Sequence, residues 1–462
     1  MIADKKYFLA TYGCQMNEYD SEVLSAFLEE MSYRRTPEPK EADLILFNTC
    51  CVREKADLKV YGKVGEFKEF KRERPELRIV VAGCLAQKDG EEMLRRFPQV
   101  DLVIGTFQLK RFPTLFMEVM RTGRRRAAVS EDLSIERLDA RRESHVSAWV
   151  PVSFGCDHHC TFCIVPSVRG AQRSRPLSDI LGDVQDLVQT GYKEINFLGQ
   201  NVDTYGFDLR ERVKLSDLLR RANDIVASTN PHGRIRFMTS HPVHFGEEIV
   251  QAVAQLPQVC EHIHIPLQAG SAAVLRAMKR GYTPERYLAL AKGIRAAIPE
   301  GAISTDLIVG FPGETEDDFR ATLAMVEEIG YDQAFMFAYS PRPGTAAAEM
   351  AHQVPDDVRK DRLNRLIRLQ NGIVEKKNKS FVGQVLEVLV EGRSKKNPDR
   401  LMGRTRTNRL VVFEGEDSWI GEVVGVRILE GHIWGLRGEC SGKAGSQGSH
   451  SSPQRHSEHG ES

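Results

Sequence analysis

The sequence predicts an α/β fold in three parts: an N-terminal parallel βαβ domain, a central partial (β/α)6 barrel and a small C-terminal all-β domain. Strand and helix patterns alternate over the first part, and six strand patterns recur over the second. Short strand patterns with glycine punctuation fill the third part, which is typical of a small barrel or sandwich. The length of 462 residues also exceeds the roughly 100–200 residues of a single domain.

The N-terminal domain is predicted over residues 1–120. Apolar strand patterns lie at Tyr7–Ala10, Leu44–Phe47 and Ile79–Ala82, and helical patterns lie at Glu18–Met31, Arg53–Phe70 and Glu91–Phe97. This alternation is typical of a parallel βαβ sheet. Residues 121–143, beginning with RTGRRR, are polar and charged without an apolar period, which predicts a linker.

The central domain is predicted over residues 144–375. Its strand patterns lie at Trp149–Phe154, Glu194–Leu198, Ile235–Met238, His262–Leu267, Ile303–Val309 and Ala334–Tyr339. Each pair is separated by enough chain for a helix, so six β/α units predict an open, partial barrel. A polar, basic helix from Asp356 to about Lys379 leads into the third domain.

The third domain is predicted over residues 376–440, where VGQVLEVLVEG, GRTRTNRLVVFEG and IGEVVGVRILEGHIWGLRGE match short strands. The tail at residues 441–462, SGKAGSQGSHSSPQRHSEHGES, contains no aromatic or large aliphatic side chain that would anchor it in a core. We therefore expect this tail to be disordered.

Composition restricts the class of protein. Lysine plus arginine and aspartate plus glutamate both total 64, so any nucleic-acid surface must be local. The apolar runs are far shorter than the roughly 20 residues that span a bilayer, and the start MIADKKYFLATYGC has no signal-peptide core. We expect no membrane segment and a cytoplasmic location. In that compartment, nine cysteines favour metal binding or catalysis over structural disulfides.

The strongest local signal is GCDHHCTFCIVP, which contains Cys156, Cys160 and Cys163. A structural zinc site takes four ligands, and no fourth cysteine lies nearby, whereas a cubane iron–sulfur cluster on three cysteines keeps one iron free. The pattern therefore favours a reactive iron–sulfur site. Zinc completed by His158 or His159, or ordinary buried cysteines, are the alternatives.

A second triplet is spread over the N-terminal domain: Cys14, Cys50 and Cys84. Each follows an apolar strand pattern and precedes a helix, and the ends of neighbouring parallel strands meet at one edge of a sheet. The three thiols are therefore predicted to converge on a second open site. The alternative is a chance placement of reduced cysteines at loop starts. Cys51 is expected to point away from this site.

The Cys-x3-Cys-x2-Cys spacing with an aromatic at Phe162 resembles the signature of radical S-adenosylmethionine (SAM) enzymes. The resemblance implies that the open iron chelates the methionine part of SAM and that one electron cleaves its sulfonium to a deoxyadenosyl radical. It also implies that the backbone near Phe162 contacts adenine. Further cofactor contacts are expected at strand ends, at Gln200, Ser304 and Asp306.

With both triplets, the segments TYGCQMNEYDSE, NTC, REKA, LGQNV, TSHP, FPGET and RPGT resemble the methylthiotransferase family up to about Glu439. GCQMNEYDSE is most similar to the bacterial branch that acts on N6-dimethylallyladenosine next to the anticodon in tRNA. The resemblance implies two [4Fe–4S] clusters, the N-terminal one attaching or supplying sulfur. One SAM would give the methyl group and a second the radical that attacks carbon 2.

This chemistry needs no acid–base residues, because an aromatic C–H has neither a leaving group nor usable acidity. No catalytic residue is therefore expected beyond the cluster ligands. Four histidines near the barrel strands are expected to be structural: His241, His244, His262 and His264. The resemblance further implies an external reductant such as flavodoxin or ferredoxin, and iron–sulfur assembly or carrier proteins.

The C-terminal segment EGRSKKNPDRLMGRTRTNR is strongly basic. Four of its cations are candidate tRNA contacts: Lys395, Lys396, Arg404 and Arg406. Such residues supply sequence-independent affinity for phosphates, and the segment resembles a TRAM domain. The alternative is an ordinary solvated hairpin.

Three other functions remain open at this point. The same clusters would serve a methylthiotransferase that acts on threonylcarbamoyl-adenosine in tRNA or on an aspartate of a ribosomal protein. From a different class, a non-enzymatic, zinc-stabilised RNA-binding protein would also carry cysteines and a basic barrel.

Overall fold

The computed structural model describes residues 5–51, 54–132, 134 and 137–443. The chain divides into two compact units, residues 1–373 and residues 374–462. Within the described residues, no helix is both long and apolar enough to cross a membrane. Most of the predicted tail, from residue 444 onward, lies outside the described residues, as does Arg53 at the start of the second predicted helix.

The N-terminal part of the first unit is a six-stranded parallel sheet in the order β2-β1-β3-β4-β5-β6. Its strands are β1 Lys5–Tyr12, β2 Tyr33–Arg35, β3 Leu44–Thr49, β4 Arg78–Gly83, β5 Leu102–Ile104 and β6 Arg126–Ala128. The linker predicted from residue 121 is wrong at its start, because β6 pairs with β5 inside that range. This edge strand has three residues, of which one is buried, and it is too short to show the alternation of apolar and polar residues that identifies a strand.

Both faces of this sheet are covered, as parallel sheets require. The helices are α1 Gln15–Glu30, α2 Glu54–Glu73, α3 Cys84–Asp89, α4 Glu91–Arg96 and α5 Phe112–Thr122. Alternation along β3 divides its side chains between two cores, with Ile45 and Phe47 in one and Leu44 and Leu46 in the other. The apolar run LILF is therefore a strand buried on both sides.

The central part is a partial barrel made of two three-stranded parallel sheets, β11-β10-β7 and β12-β13-β14, which confirms the predicted six β/α units. The strands are β7 Ser147–Pro151, β8 Ser153–Phe154, β9 Arg173–Ser174, β10 Glu194–Leu198, β11 Arg234–Phe237, β12 His262–His264, β13 Ala302–Val309 and β14 Gln333–Ala338. The helices are α6 Val165–Arg169, α7 Leu177–Gln189, α8 Leu215–Thr229, α9 Glu247–Gln255, α10 Ala272–Ala277, α11 Pro284–Ala297, α12 Glu316–Ile329 and α13 Asp356–Lys379. The short antiparallel pair β8–β9 flanks the loop that carries the central cysteines.

The second unit contains a closed five-stranded barrel in the order β15-β16-β17-β19-β18, as predicted for a small all-β domain. Its strands are β15 Val385–Arg393, β16 Leu401–Arg404, β17 Leu410–Phe413, β18 Val423–His432 and β19 Gly435–Lys443. The prediction of disorder is wrong for residues 441–443, which continue β19 and pair with β18. Backbone pairing holds this stretch although its side chains are small or polar.

Candidate functional site

The ends of β1, β3 and β4 bring the N-terminal cysteines to one edge of the sheet. In the parallel register Tyr12 pairs with Thr49, and Thr49 pairs with Gly83. The backbone N–H of Cys50 donates to the Tyr12 carbonyl at 2.8 Å, which extends this register beyond the strands. The residues that follow these strand ends are therefore held side by side.

The thiols of Cys14, Cys50 and Cys84 meet, as predicted. The Cys50 thiol hydrogen-bonds to the sulfurs of both other cysteines, and this lowers the pKa of Cys14 to about 7. Hydrogen bonds from Cys50 and from a neighbouring thiol also lower the pKa of Cys84, which is the direction that favours metal-binding thiolate. Cys50 and Cys84 are buried while Cys14 is exposed, so the group opens toward solvent at Cys14.

The neighbouring thiol is Cys51, and the expectation that it points away is wrong. Its thiol hydrogen-bonds to the sulfur of Cys84. This hydrogen bond is the main cause, and burial the second cause, of the raised pKa of Cys51. β3 ends at Thr49, so the alternation of side chains that holds within the strand does not have to continue through Cys50 and Cys51. Four cysteines therefore converge where three were predicted.

Two buried asparagines tie the first turn of α1 to the end of β3. The Asn48 amide donates to the Asn17 carbonyl at 2.7 Å, and the Asn17 amide donates to the Thr49 carbonyl at 3.2 Å. The Cys14 thiol donates to Asn17 Oδ1 at 3.5 Å. The asparagines of the GCQMN and FNTC segments, Asn17 and Asn48, therefore position the thiols, because buried polar groups require hydrogen-bond partners.

Arg169 contacts the N-terminal thiol group, and this residue was not predicted from the sequence. It ends α6 and is 6% exposed. Its Nε donates to Cys84 Sγ at 3.3 Å and an Nη donates to Asp20 Oδ2 at 2.7 Å. Ile164 and Val168 of the same segment pack into the core of the N-terminal sheet. The helix that follows the central cysteines is therefore anchored beside the N-terminal ones. The available signal was a lone arginine in VPSVRG.

The central triplet lies in the loop between β8 and β9. The Cys156 N–H donates to the Gly170 carbonyl at 3.0 Å, and the Cys163 N–H donates to the Cys160 carbonyl at 3.0 Å. Arg280, which was not predicted as a site residue either, donates to Cys160 Sγ at 3.3 Å. Burial raises the pKa of Cys156 to about 11 and that of Cys163 to about 12.

In the part of the chain that the structure describes, no group of three or more His, Cys, Asp or Glu side chains is placed to hold a single metal ion. A cubane cluster makes a different demand, because each cysteine binds a separate iron, and two all-thiol triplets fit that demand. The ring of His158 stacks on that of His241 with centroids 3.9 Å apart, and burial lowers the pKa of His158 to about 4.

Two predicted SAM contacts lie at the cysteine loop. Gln200 follows β10, and its Oε1 accepts a hydrogen bond from the Gly155 N–H at 2.5 Å, so it holds the loop that begins at Cys156. Phe162 is partly buried and packs against the barrel core.

The other two lie on β13. The hydroxyl of Ser304 sits between His264 Nδ1 at 2.9 Å and His262 Nε2 at 3.0 Å. Asp306 Oδ2 lies 3.4 Å from His264 Nε2, and its side chain is 31% exposed. The Ser304 hydroxyl is thus hydrogen-bonded to two neighbouring histidines, whereas the Asp306 carboxylate is partly exposed.

Several buried polar atoms near the barrel's strand ends have no hydrogen-bond partner within the described residues. They include both amide atoms of Asn201, Oδ1 of Asp203, Oγ of Ser240 and Nε2 of His241. Asp203 Oδ2 accepts from the His241 backbone N–H at 2.7 Å, and burial raises the pKa of Asp203 to about 7. Orphaned polar atoms of this kind fit a polar ligand that carries both donors and acceptors, such as SAM.

The basic segment of the second unit is partly neutralised. Arg404 Nε lies 3.2 Å from Glu391 Oε1, and Arg393 Nε lies 2.6 Å from Asp417 Oδ1. Arg406 lies in the turn between β16 and β17. Lys395 and Lys396 are exposed in the connection between β15 and β16. The acid at position 417 lies outside the basic stretch, so counting charges along that stretch overestimates its positive charge.

Three family models match the chain. Residues 6–105 match the family described as uncharacterized protein family UPF0004, residues 150–326 match the radical SAM superfamily, and residues 379–440 match the TRAM domain. In fold, the chain is similar to the radical SAM methyltransferase TsrM from Kitasatospora setae, solved with tryptophan and a SAM analogue. The TM-score is 0.57 at 13% identity, over 74% of this chain and 75% of that one.

Curated relatives match along nearly the whole length. The tRNA-2-methylthio-N(6)-dimethylallyladenosine synthases of Natranaerobius thermophilus and Carboxydothermus hydrogenoformans are each 46% identical, over 94% and 95% of this chain and 96% and 99% of their own. That of Clostridium botulinum strain Langeland is 47% identical over 94% of this chain and 96% of its own.

The fold, the cysteine triplets and these matches define a radical SAM enzyme that carries a TRAM domain. Because relatives of this identity cover nearly all of it, the chain belongs to the family of tRNA-2-methylthio-N(6)-dimethylallyladenosine synthases. The resemblance to methylthiotransferases is thereby confirmed.

Proposed function

We propose that this chain methylthiolates carbon 2 of N6-dimethylallyladenosine next to the anticodon in tRNA. The observation that carries the proposal is the near full-length identity to synthases named for that product. The convergence of two cysteine triplets in one compact unit supports it, because the reaction needs both a radical source and a sulfur source. Radical chemistry suits this target, since its C–H bond is neither acidic nor activated.

Cys156, Cys160 and Cys163 are proposed to hold the radical-SAM [4Fe–4S] cluster with one iron left open to SAM. When bound, the cluster and SAM supply the one-electron chemistry that removes the hydrogen from carbon 2. Arg280 fixes the sulfur of Cys160 by its hydrogen bond at 3.3 Å. Asn201, with Asp203 and His241 beside it, would satisfy polar groups of SAM inside the barrel. Phe162, Gln200, Ser304 and Asp306 remain proposed contacts or supports of the same cofactor.

Cys14, Cys50 and Cys84 are proposed to hold a second [4Fe–4S] cluster that delivers sulfur. The exposure of Cys14 supports this, because a sulfur-bearing position has to reach a macromolecular substrate. Cys51, whose thiol hydrogen-bonds to Cys84, is proposed as a bystander. Its hydrogen bond to Cys84 makes it the closest competitor for the ligand role of Cys50.

The partners follow from this chemistry. The exposed Lys395 and Lys396, with Arg404 and Arg406, are proposed to hold tRNA phosphates, which position the substrate without selecting the base. A one-electron donor such as flavodoxin or ferredoxin and iron–sulfur assembly or carrier proteins are proposed. A cytoplasmic location would keep the thiols reduced.

The test is anaerobic reconstitution with iron and sulfide, followed by incubation with SAM, a strong reductant and candidate substrates. Mass spectrometry of nucleosides should show 2-methylthio-N6-dimethylallyladenosine from tRNA that carries dimethylallyladenosine. Product only from threonylcarbamoyl-adenosine tRNA, or only on a ribosomal-protein aspartate, would overturn the substrate. Zinc without iron or acid-labile sulfide would overturn the enzyme class. Cys160→Ala is the matched control, and it should abolish deoxyadenosine formation.

A further inference from the structure

The guanidinium of Arg169 is a buried cation placed against the N-terminal thiols. Its exposed fraction is 6%, and that of Asp20 is 5%. One side of the guanidinium donates to Cys84 Sγ at 3.3 Å and another donates to Asp20 Oδ2 at 2.7 Å. Arg169 thus joins a cysteine sulfur of one domain to the segment that carries the other triplet.

The charge balance of this group changes when iron binds. Guanidinium stays protonated in proteins, and a buried charge is costly unless it is paired. Asp20 neutralises Arg169 in the protein alone. Cysteines bind iron as thiolates, so a loaded site adds negative charge beside this ion pair. Arg169 is a cation placed to offset that charge, because it donates directly to Cys84 Sγ, and Asp20 limits the offset.

We infer that Arg169 is a positioning residue that raises the reduction potential of the cluster on Cys14, Cys50 and Cys84, while Asp20 lowers it. Net charge and hydrogen bonds to sulfur are two of the factors that set such potentials, and Arg169 contributes to both. The inference rests on the second cluster of the proposed function. Through Arg169, the helix that follows the radical-SAM cysteines also tunes the reduction potential of the sulfur-delivering cluster.

The experiment uses the full chain with Cys156, Cys160 and Cys163 all changed to alanine, so that only the N-terminal cluster assembles. In this background we would compare Arg169→Met, Arg169→Lys and Asp20→Asn by iron content and by electron paramagnetic resonance during a redox titration. Arg169→Met should lower the ratio of reduced to oxidised cluster at a fixed potential at least tenfold, which corresponds to a midpoint shift of about 59 mV for one electron. Asp20→Asn should shift the midpoint in the opposite direction, and Arg169→Lys should recover part of the loss.

The matched control is Arg142→Met. Arg142 forms an ion pair with Glu22 of α1 at 2.8 Å, and within the described residues its hydrogen bonds go to oxygens of Glu22 and Trp149. It should affect stability without moving the midpoint. A purely structural role for Arg169 would make Arg169→Met behave in the same way.

A midpoint that is unchanged in Arg169→Met and in Asp20→Asn, with iron fully bound, would overturn the inference and leave the proposed function standing. If Arg169→Met fails to bind the cluster, Asp20→Asn and Arg169→Lys decide by the same criterion. Absence of iron from the triple-alanine protein with Arg169 intact would instead overturn the second cluster itself.

Discussion

A Cβ on Gly83 would lie 2.4 Å from the backbone oxygen of Thr49, so the ends of β4 and β3 approach more closely than any other residue allows. Gly83 also has φ of +93°, a conformation that side chains disfavour. Cys84 and Cys50 follow these two positions directly. The close approach of the two backbones is what brings their thiols together.

Gly83→Ala is therefore expected to separate Cys84 from Cys50. Iron in the reconstituted protein should fall toward half of the wild-type content, because the central triplet is untouched. Gly123→Ala is the matched control: Gly123 has φ of +65°, but a Cβ there would meet nothing within 4 Å. It should cost about 1–2 kcal/mol of stability and keep full iron. Full iron in Gly83→Ala would contradict the prediction.

Cys84→Ala and Cys51→Ala should separate ligand from bystander. Cys84→Ala should lose the N-terminal cluster, so that iron falls toward half. SAM cleavage to deoxyadenosine should persist under strong reductant, because it depends on the central triplet, yet no methylthio-nucleoside should form. Cys51→Ala should keep both iron and product. All three quantities would be measured on one anaerobic preparation, and loss of iron in Cys51→Ala with full iron in Cys50→Ala would exchange the two roles.

The sequence was sufficient to predict that Cys14, Cys50 and Cys84 converge, because the order of strands in a parallel sheet determines where their ends lie. It was insufficient for Cys51, whose direction depends on how the chain turns after β3. Arg169 was missed for a different reason. Its contact with Cys84 joins two domains across 85 positions of the sequence, and no local period encodes such a contact.

At the domain boundaries, too, some elements could be predicted from the sequence and others could not. The six barrel strands were predicted because strand patterns recur with enough chain between them for a helix. The strand Arg126–Ala128 carries almost no apolar signal and owes its place to backbone pairing with β5. The acid Asp417, which pairs with Arg393, lies in a segment that only the closed barrel brings near the basic stretch.

Asp203 should make stability depend on pH. Burial raises its pKa to about 7, against about 3.9 for an unfolded aspartate. Between these values the folded state holds a proton that the unfolded state has released, so the free energy of unfolding falls as pH rises. The slope for one such group is at most about 1.4 kcal/mol per pH unit, and it vanishes above about pH 7.

Asp203→Asn removes this proton while keeping an acceptor for the His241 N–H. The stability of the variant relative to wild type should therefore increase from pH 5 to pH 7 and then level off. Thermal unfolding of both proteins, prepared with the same iron content, measures the difference. Parallel pH profiles would show that the Asp203 carboxyl titrates normally.

Lys395 and Lys396 should contribute more to tRNA affinity than arginines that are already paired. A cation that contacts phosphate releases counterions, so each lost contact should reduce the log–log salt slope by about 0.7 on single strands or about 0.9 on duplex. The double variant Lys395→Ala/Lys396→Ala should thus bind more weakly and with a flatter salt dependence. Arg393→Ala is the control, because Arg393 is held by Asp417 at 2.6 Å. Filter binding at several salt concentrations would measure both, and an unchanged slope in the lysine variant would make this connection an ordinary solvated loop.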